Sequence, residues 1–168
     1  MTLSMYQASI PGFVRALENF SAILDKAVAS AEARKIDPAV LVAARLAPDM
    51  HPLGRQIQIA TDSVKGGAAR LAQVEVPSFA DTETTFPELK ERLAKTVAFL
   101  KTITEAQLDG SEDRTVTMKA GPRELSFTGR DYLFNFVIPN MFFHLTATYA
   151  ILRHNGVDVG KMDFLGGI

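Results

Sequence analysis

The chain has 168 residues, a formal net charge of −1 and no cysteine. That length fits one domain with one sizeable core, and a composition of 47% hydrophobic and 22% charged residues excludes extended disorder. The balanced charge argues against nucleic acid or anionic lipid as a partner. The lack of cysteine excludes disulfides and thiolate chemistry.

The first third of the chain predicts one long and one short helix. Apolar residues recur at steps of three and four from about residue 4 to residue 34, which places them on one helical face. Pro11 either kinks this helix or postpones its regular start. A short helix follows over about residues 38–45, and Asp37 is positioned to cap it.

A second long helix is predicted over about residues 50–74, with Asp49 as its cap. Gly66-Gly67 in its middle costs about 1 kcal/mol per glycine relative to alanine. We interpret the pair as a close approach by a neighbouring helix rather than as a hinge. Residues 75–85 form a polar linker.

The third helix is predicted to begin at Thr85, which forms a capping box with Glu88, and to end near Asp109-Gly110. Residues 114–128 change character, because apolar residues alternate with polar ones on either side of Gly121-Pro122. This pattern predicts a small β-hairpin between the third and fourth helices.

The fourth helix is predicted to start at Thr128 or Asp131 and to end near His154, where Asn155-Gly156 is a good stop. Its apolar stretch over residues 132–152 is interrupted by polar residues, so we expect a buried helix and no membrane span. The apolar tail after residue 156 is expected to pack on the domain or on a second subunit.

A polar dyad inside this fourth helix is the main candidate for chemistry. Asn140 and His144 are four residues apart and share the helical face of the predicted core stripe, where unpaired polar groups are costly. Pro139 disturbs the same turn. Gln56 on the second long helix borders the apolar stripe, so Gln56, Asn140 and His144 form the predicted site.

The chemistry of this trio is left open by the sequence. A satisfied core histidine is an alternative interpretation of His144. A divalent metal needs three or more imidazole or carboxylate ligands, whereas the trio offers one imidazole and two amides. We therefore predict no metal and no other cofactor; any metal (Ni, Zn or Mn) would use His144. His51 and His154 are predicted to lie on the surface.

Other side chains have plainer interpretations. A carboxylate partner for His144 would have to approach it in space, and Asp49, Asp62 and Asp131 are the candidates. The aromatic residues of the fourth helix are predicted to serve core and interface packing rather than base stacking, since no basic patch accompanies them; they are Phe134, Phe136, Phe142 and Phe143. We also expect no secretory signal and a cytoplasmic protein.

Two segments carry a family resemblance: NMFFHLTATYAILRHNGV on the fourth helix and DMHPLGRQIQIATD at the second. Together they resemble the DinB/YfiT-like superfamily, and more closely a bacterial branch known as a domain of unknown function. The resemblance extends over nearly the whole chain and implies an all-α four-helix bundle, formed here by residues 1–168 as one domain, with a short extra helix and a small hairpin.

The same resemblance implies a frequent homodimer and, in many members, a divalent metal held by one histidine on helix two and an HxxxH motif on helix four. His144 falls at the second histidine of that motif, Asn140 at the first, and the helix-two position falls near Gln56. We expect a homodimer with a metal-free small-molecule pocket. The alternatives are a metal-dependent enzyme, of thiol-transferase or hydrolase-like type, that uses His144, and a structural or stress-related oligomer without a site.

Overall fold

The computed structural model describes residues 3–167 and is mostly helical, with one two-stranded antiparallel hairpin. The elements in chain order are α1 (Ile10–Ala33), α2 (Pro38–Ala43), α3 (Leu53–Ala72), α4 (Phe86–Thr102), α5 (Glu105–Leu108), β1 (Thr115–Ala120), β2 (Arg123–Thr128), α6 (Gly129–Tyr132), α7 (Ile138–His154) and α8 (Lys161–Leu165). α3 packs against α7 and α4, and α1 packs against α4. Among residues 3–167, no helix combines the length and apolarity that crossing a membrane requires.

The first helix starts later than residue 4. Turns occupy residues 5–9, and the regular helix begins at Ile10 with Pro11 in its first turn. Proline is tolerated there because the first-turn N–H groups have no helical partner. Of the two predicted effects of Pro11, the delayed start is confirmed. Asp37 caps α2 through the N–H of Ala39, as predicted.

The predicted start of the second long helix at residue 50, capped by Asp49, is wrong. The helix begins at Leu53, because Pro52 occupies the N-cap position with extended backbone angles. The close approach predicted at Gly66-Gly67 is confirmed for Gly67, where a Cβ would lie 2.6 Å from a methyl carbon of Val137. The glycine therefore lets α3 lie directly against the fourth helical segment.

The capping box of Thr85 and Glu88 starts α4 as predicted. The helix stops at Thr102, and a second capping box, formed by Thr104 and Gln107, starts the separate turn α5. The predicted hairpin is confirmed: β1 and β2 pair in antiparallel register from Thr115 opposite Thr128 to the turn.

The fourth long segment begins at Gly129, with the Thr128 side chain accepting from the Asp131 N–H. A π-helical turn, Leu133–Val137, separates α6 from α7, and Pro139 follows it as the second residue of α7. Proline has no N–H to donate back along the helix, and the wider turn accommodates the missing hydrogen bond. The disturbance predicted at Pro139 takes the form of this π turn.

The tail packs on the domain. It forms α8, whose Phe164 meets the ring of Phe20 edge-on at 5.2 Å between centroids. The Asn19 side chain donates to the Phe164 carbonyl, and Lys26 pairs with Asp163 at 2.7 Å. The tail was expected to pack on the domain or on a second subunit, and the structure shows it on the domain.

Candidate functional site

The buried face of the fourth helix includes the apolar residues of the predicted stripe, Leu133, Val137, Ala147 and Ile151, and is displaced by one residue at the positions between them. Met141 and Leu145 are buried at its centre, whereas Asn140 and His144 are half-buried at its edge. The displacement follows from solvation, because burying a thioether and an isobutyl group is favourable while burying an amide and an imidazole is not. The dyad therefore borders the core instead of lying inside it.

Gln56 and His144 meet across the α3–α7 interface. The Gln56 side chain is 1% exposed. Its Oε1 lies 2.6 Å from Nδ1 of His144, and its Nε2 donates to the backbone carbonyl of His51 at 3.0 Å. Two of the three predicted site residues are thus brought into direct contact.

This arrangement determines the tautomer of His144. A backbone carbonyl can only accept a hydrogen bond, so the Gln56 amide must turn its Nε2 toward His51 and its Oε1 toward His144. Nδ1 of His144 therefore carries the proton and donates it to Gln56. In the neutral ring, Nε2 keeps a free lone pair that can accept a hydrogen bond or a proton.

The surroundings of His144 favour its neutral form. Burial of the ring lowers the pKa of His144 below its ordinary value of 6.5, and electrostatic interactions with His51 and Arg55 lower it further. The Phe143 ring meets the imidazole edge-on, 5.2 Å between centroids. At neutral pH the side chain is thus an uncharged acceptor beside an aromatic ring.

Asn140 lies one helical turn before His144 on the same side of α7. It is half-buried. Within residues 3–167, Ser111 Oγ is the buried side-chain polar atom that lacks a hydrogen-bond partner. The Asn140 amide is not such an atom, so it does not lie unpaired in the core. Asn140 shares the face of the pair, but it is not part of its hydrogen-bond chain.

The donor set around His144 does not fit a divalent metal. The Gln56 oxygen accepts from Nδ1, which leaves one imidazole nitrogen as a good ligand. In the described part of the chain, no three His, Cys, Asp or Glu side chains are grouped to hold an ion. Structural and catalytic sites for zinc and related metals use at least three such ligands.

The remaining predicted surface and carboxylate residues lie as follows. The side chains of His51 and His154 are exposed, as predicted. Asp62, a candidate carboxylate partner, pairs with Arg92 and Lys65, each at 2.8 Å, instead of with His144. A nearby carboxylate would raise the pKa of His144, and no acidic group is among the causes that shift it.

A second polar cluster, which the sequence analysis missed, surrounds Arg92 on α4. The Arg92 guanidinium is buried and binds the carboxylates of Asp62 (2.8 Å), Asp81 (2.7 Å) and Glu83 (3.0 Å). Its Nε donates to Thr61 Oγ1 at 2.7 Å. These contacts hold the linker between α3 and α4 onto both helices. We call these five residues the Arg92 cluster.

The carboxylates of the linker are held in their charged forms. Burial by itself raises the pKa of Asp81, but hydrogen bonds and charges from Arg55 and Arg92 outweigh it and lower the value. Burial likewise raises the pKa of Glu83, and hydrogen bonds to the backbone, Arg92 and Gln58 together lower it. A sequence signal existed, since Arg92 lies three residues after Leu89 on the apolar stripe of α4.

A surface groove with a volume of about 390 Å³ lies along α7, and its lining does not include Gln56, Asn140 or His144. Its walls include Met50 and Phe143, the chain neighbours of His51 and His144. The groove is therefore lined by chain neighbours of His51 and His144 and not by the Gln56–His144 pair itself.

Comparisons with known proteins agree with this architecture. The family model described as "Domain of unknown function (DUF1993)" matches residues 5–165. The chain belongs to the DUF1993 family. A crystal structure of a DinB family member protein from Shewanella denitrificans is 41% identical and superposes with a TM-score of 0.89, covering 98% of this chain and 93% of that one. No curated protein sequence matches. The resemblance to the DinB superfamily and to a domain of unknown function is therefore confirmed.

Proposed function

We propose that this DUF1993 protein binds a small molecule at the Gln56–His144 pair without using a metal. The observation that supports this most directly is the 2.6 Å contact between His144 Nδ1 and Gln56 Oε1. The contact orients the ring and leaves Nε2 as an acceptor. In functional histidines, a hydrogen bond to one ring nitrogen typically fixes the orientation of the ring, and the other nitrogen binds the ligand or transfers the proton.

The proposed ligand is a protic molecule that donates an O–H, N–H or S–H group to Nε2 of His144. Its apolar part would pack against Phe143, and Asn140 could contact a second polar group from one turn away. Because the pKa of His144 is lowered, the ring accepts such a hydrogen bond at neutral pH instead of competing as a donor.

Thermal unfolding with a library of small hydroxy, amino and thiol compounds tests this proposal. A ligand present at about 100 times its Kd stabilises the folded state by roughly 2.7 kcal/mol. We expect at least one compound to raise the Tm of the wild type and of His154→Ala, an exposed-histidine control, but not that of His144→Ala. Equal stabilisation of all three proteins would place the ligand elsewhere, and no stabilisation by any compound would favour a structural protein without a site.

The competing hypothesis is a metal-dependent enzyme, of thiol-transferase or hydrolase-like type, that uses His144. The single available imidazole nitrogen argues against it, as described above. Metal analysis of protein purified without a histidine tag is the direct measurement. Stoichiometric Ni, Zn or Mn that is lost in His144→Ala would overturn the metal-free proposal.

Finally, we propose that the four long helical segments form an up-and-down-type bundle with one crossover, and that the protein acts in the cytoplasm. The pairing of α3 with α4 and α7, and of α1 with α4, supports the bundle. Cell fractionation with an antibody against the protein tests the location, and recovery outside the cytoplasmic fraction would contradict it.

A further inference from the structure

A hollow of about 620 Å³ lies beside the turn that precedes α1, and Gln56, Asn140 and His144 are absent from its lining. One wall is the turn itself, residues 3–6. A second wall is α5 with the residues that follow it, and a third is formed by Arg130 and Phe134 at the start of the fourth long segment. Hollows of this volume are typical of small-molecule sites. The chain thus offers a second place for a ligand, separate from the Gln56–His144 pair.

Part of the lining of this hollow is apolar. Met5 and Leu108 are buried, whereas Leu3 and Phe134 are 69% and 46% exposed. The sequence predicts core or interface packing for Phe134, but in the structure its ring borders the hollow. The half-buried Tyr6 adds a second ring. Exposed apolar side chains around a hollow favour a ligand with an apolar body.

The charged side chains of the hollow are mostly acidic. Glu105, Asp109 and Glu112 supply three carboxylates, against the one guanidinium of Arg130. The Arg130 Nε lies 3.4 Å from a carboxylate oxygen of Asp131, which balances part of its charge. Among residues 3–167, no basic side chain forms an ion pair with the three carboxylates. The hollow therefore attracts a cation.

The spread of these carboxylates favours an organic cation over a metal ion. A metal ion needs oxygen ligands that converge on one point, and in the described part of the chain no three such side chains are grouped to hold one. A protonated amine can instead interact with carboxylates that lie apart. An ammonium group also binds over the face of an aromatic ring, and Tyr6 and Phe134 supply two rings.

We propose that this hollow binds a protonated organic amine with an apolar body. The ammonium group interacts with the carboxylates of Glu105, Asp109 and Glu112, and the apolar body packs on Tyr6 and Phe134. The charge selects the class of ligand, and the apolar lining supplies the area that it buries. This proposal is independent of the proposed function, because its residues are different ones.

Dansylcadaverine is a suitable probe, because a fluorescent apolar ring system is joined by an alkyl chain to a primary amine. Dansylamide, which has the same ring system and no ammonium group, is the matched control compound. We expect a saturable rise in dansylcadaverine fluorescence with the wild type, and about tenfold weaker binding of dansylamide, a difference of about 1.4 kcal/mol. Added NaCl should weaken the binding of dansylcadaverine, since salt screens exposed charges.

Substitutions in the lining test the charge with opposite signs. Glu105→Gln and Glu112→Gln should each weaken dansylcadaverine binding by about two- to fivefold, the contribution of one exposed ion pair. Arg130→Gln should tighten it, because the substitution removes the basic side chain of the lining. The control is Glu32→Gln, which neutralises an exposed carboxylate near the other end of α1 and should leave the affinity unchanged. Circular dichroism establishes that each variant is folded.

Several results would overturn this proposal. No saturable binding by the wild type, or equal affinity for the two dansyl compounds, would show that the amine is not recognised. An unchanged affinity after neutralising Glu105, Asp109 and Glu112 together would place the amine elsewhere. Loss of binding in His144→Ala would place the probe at the Gln56–His144 pair, whose own ligand is tested separately. Displacement of the probe by CaCl₂ at constant ionic strength would assign the carboxylates to a metal ion.

Discussion

Replacing Arg92 with methionine should destabilise the protein by about 3 kcal/mol. Removing one partner of a buried ion pair typically costs 3–5 kcal/mol, because the remaining charge is left without compensation. The Arg92 side chain is 1% exposed, but those of Asp62 and Asp81 are 37% and 33% exposed. Water can therefore resolvate the two carboxylates, and we expect the lower end of that range. Methionine retains much of the apolar stem.

Urea or thermal unfolding followed by circular dichroism measures the effect. For a chain of this size, 1 kcal/mol corresponds to roughly 2–4 °C in Tm, so the expected decrease is about 6–12 °C. The control is Lys95→Met, which breaks an exposed pair with Glu91 on the same helix and should cost about 0.3–0.5 kcal/mol. Equal losses for the two variants would refute the reasoning.

The acid dependence separates charge from packing in this experiment. The pKa values of Asp81 and Glu83 are lowered in the folded protein, so their contribution is complete above the ordinary values of 3.8 and 4.5 and is lost as pH falls through the folded values. In Arg92→Met these pKa values should rise, and the loss of stability below about pH 4.5 should become shallower.

Three further predictions concern α3 and α7. Gly67→Ala should lower the free energy of unfolding by about 1–3 kcal/mol in urea, because its Cβ would lie 2.6 Å from a Val137 methyl carbon. The control Gly12→Ala has open space around the added Cβ and should stabilise α1 by about 0.5–1 kcal/mol. Equal effects of the two substitutions would contradict the close approach. The free energy of unfolding should decrease as pH falls below 6.5, since His144 has a lowered pKa when folded, and His144→Ala should show a smaller decrease. Gln56→Glu should raise the pKa of His144 in an NMR titration, because a carboxylate favours the imidazolium; a further lowering would disprove the contact.

The parts of the fold that were predictable from sequence depend on local interactions. The capping boxes and the hairpin involve residues a few positions apart, so Thr85 with Glu88 and the turn at Gly121-Pro122 were recognisable without a structure. The predicted start of α3 was wrong because two local signals competed. The backbone restriction imposed by Pro52 outweighed the capping preference of Asp49.

The Arg92 cluster could not be assembled from sequence because its members come from α3, the linker and α4. Asp62 and Arg92 are 30 positions apart, and no spacing rule joins them. What the sequence did contain was an arginine on the apolar stripe of α4, a position where an unpaired charge would be expensive. That anomaly predicts buried partners without identifying them.

The candidate site shows how an amide at the helix-two position affects His144. The helix-two position, which the family resemblance places near Gln56, supplies an amide whose oxygen accepts from His144 and whose nitrogen donates to the His51 carbonyl. Both polar atoms of that amide are therefore occupied within the protein. In a metal site, a histidine at this position would present its nitrogen to the ion; here, Gln56 orients the His144 ring from behind. The amide of Gln56 thus leaves Nε2 of His144 as a free acceptor, the atom to which we propose that a small molecule binds.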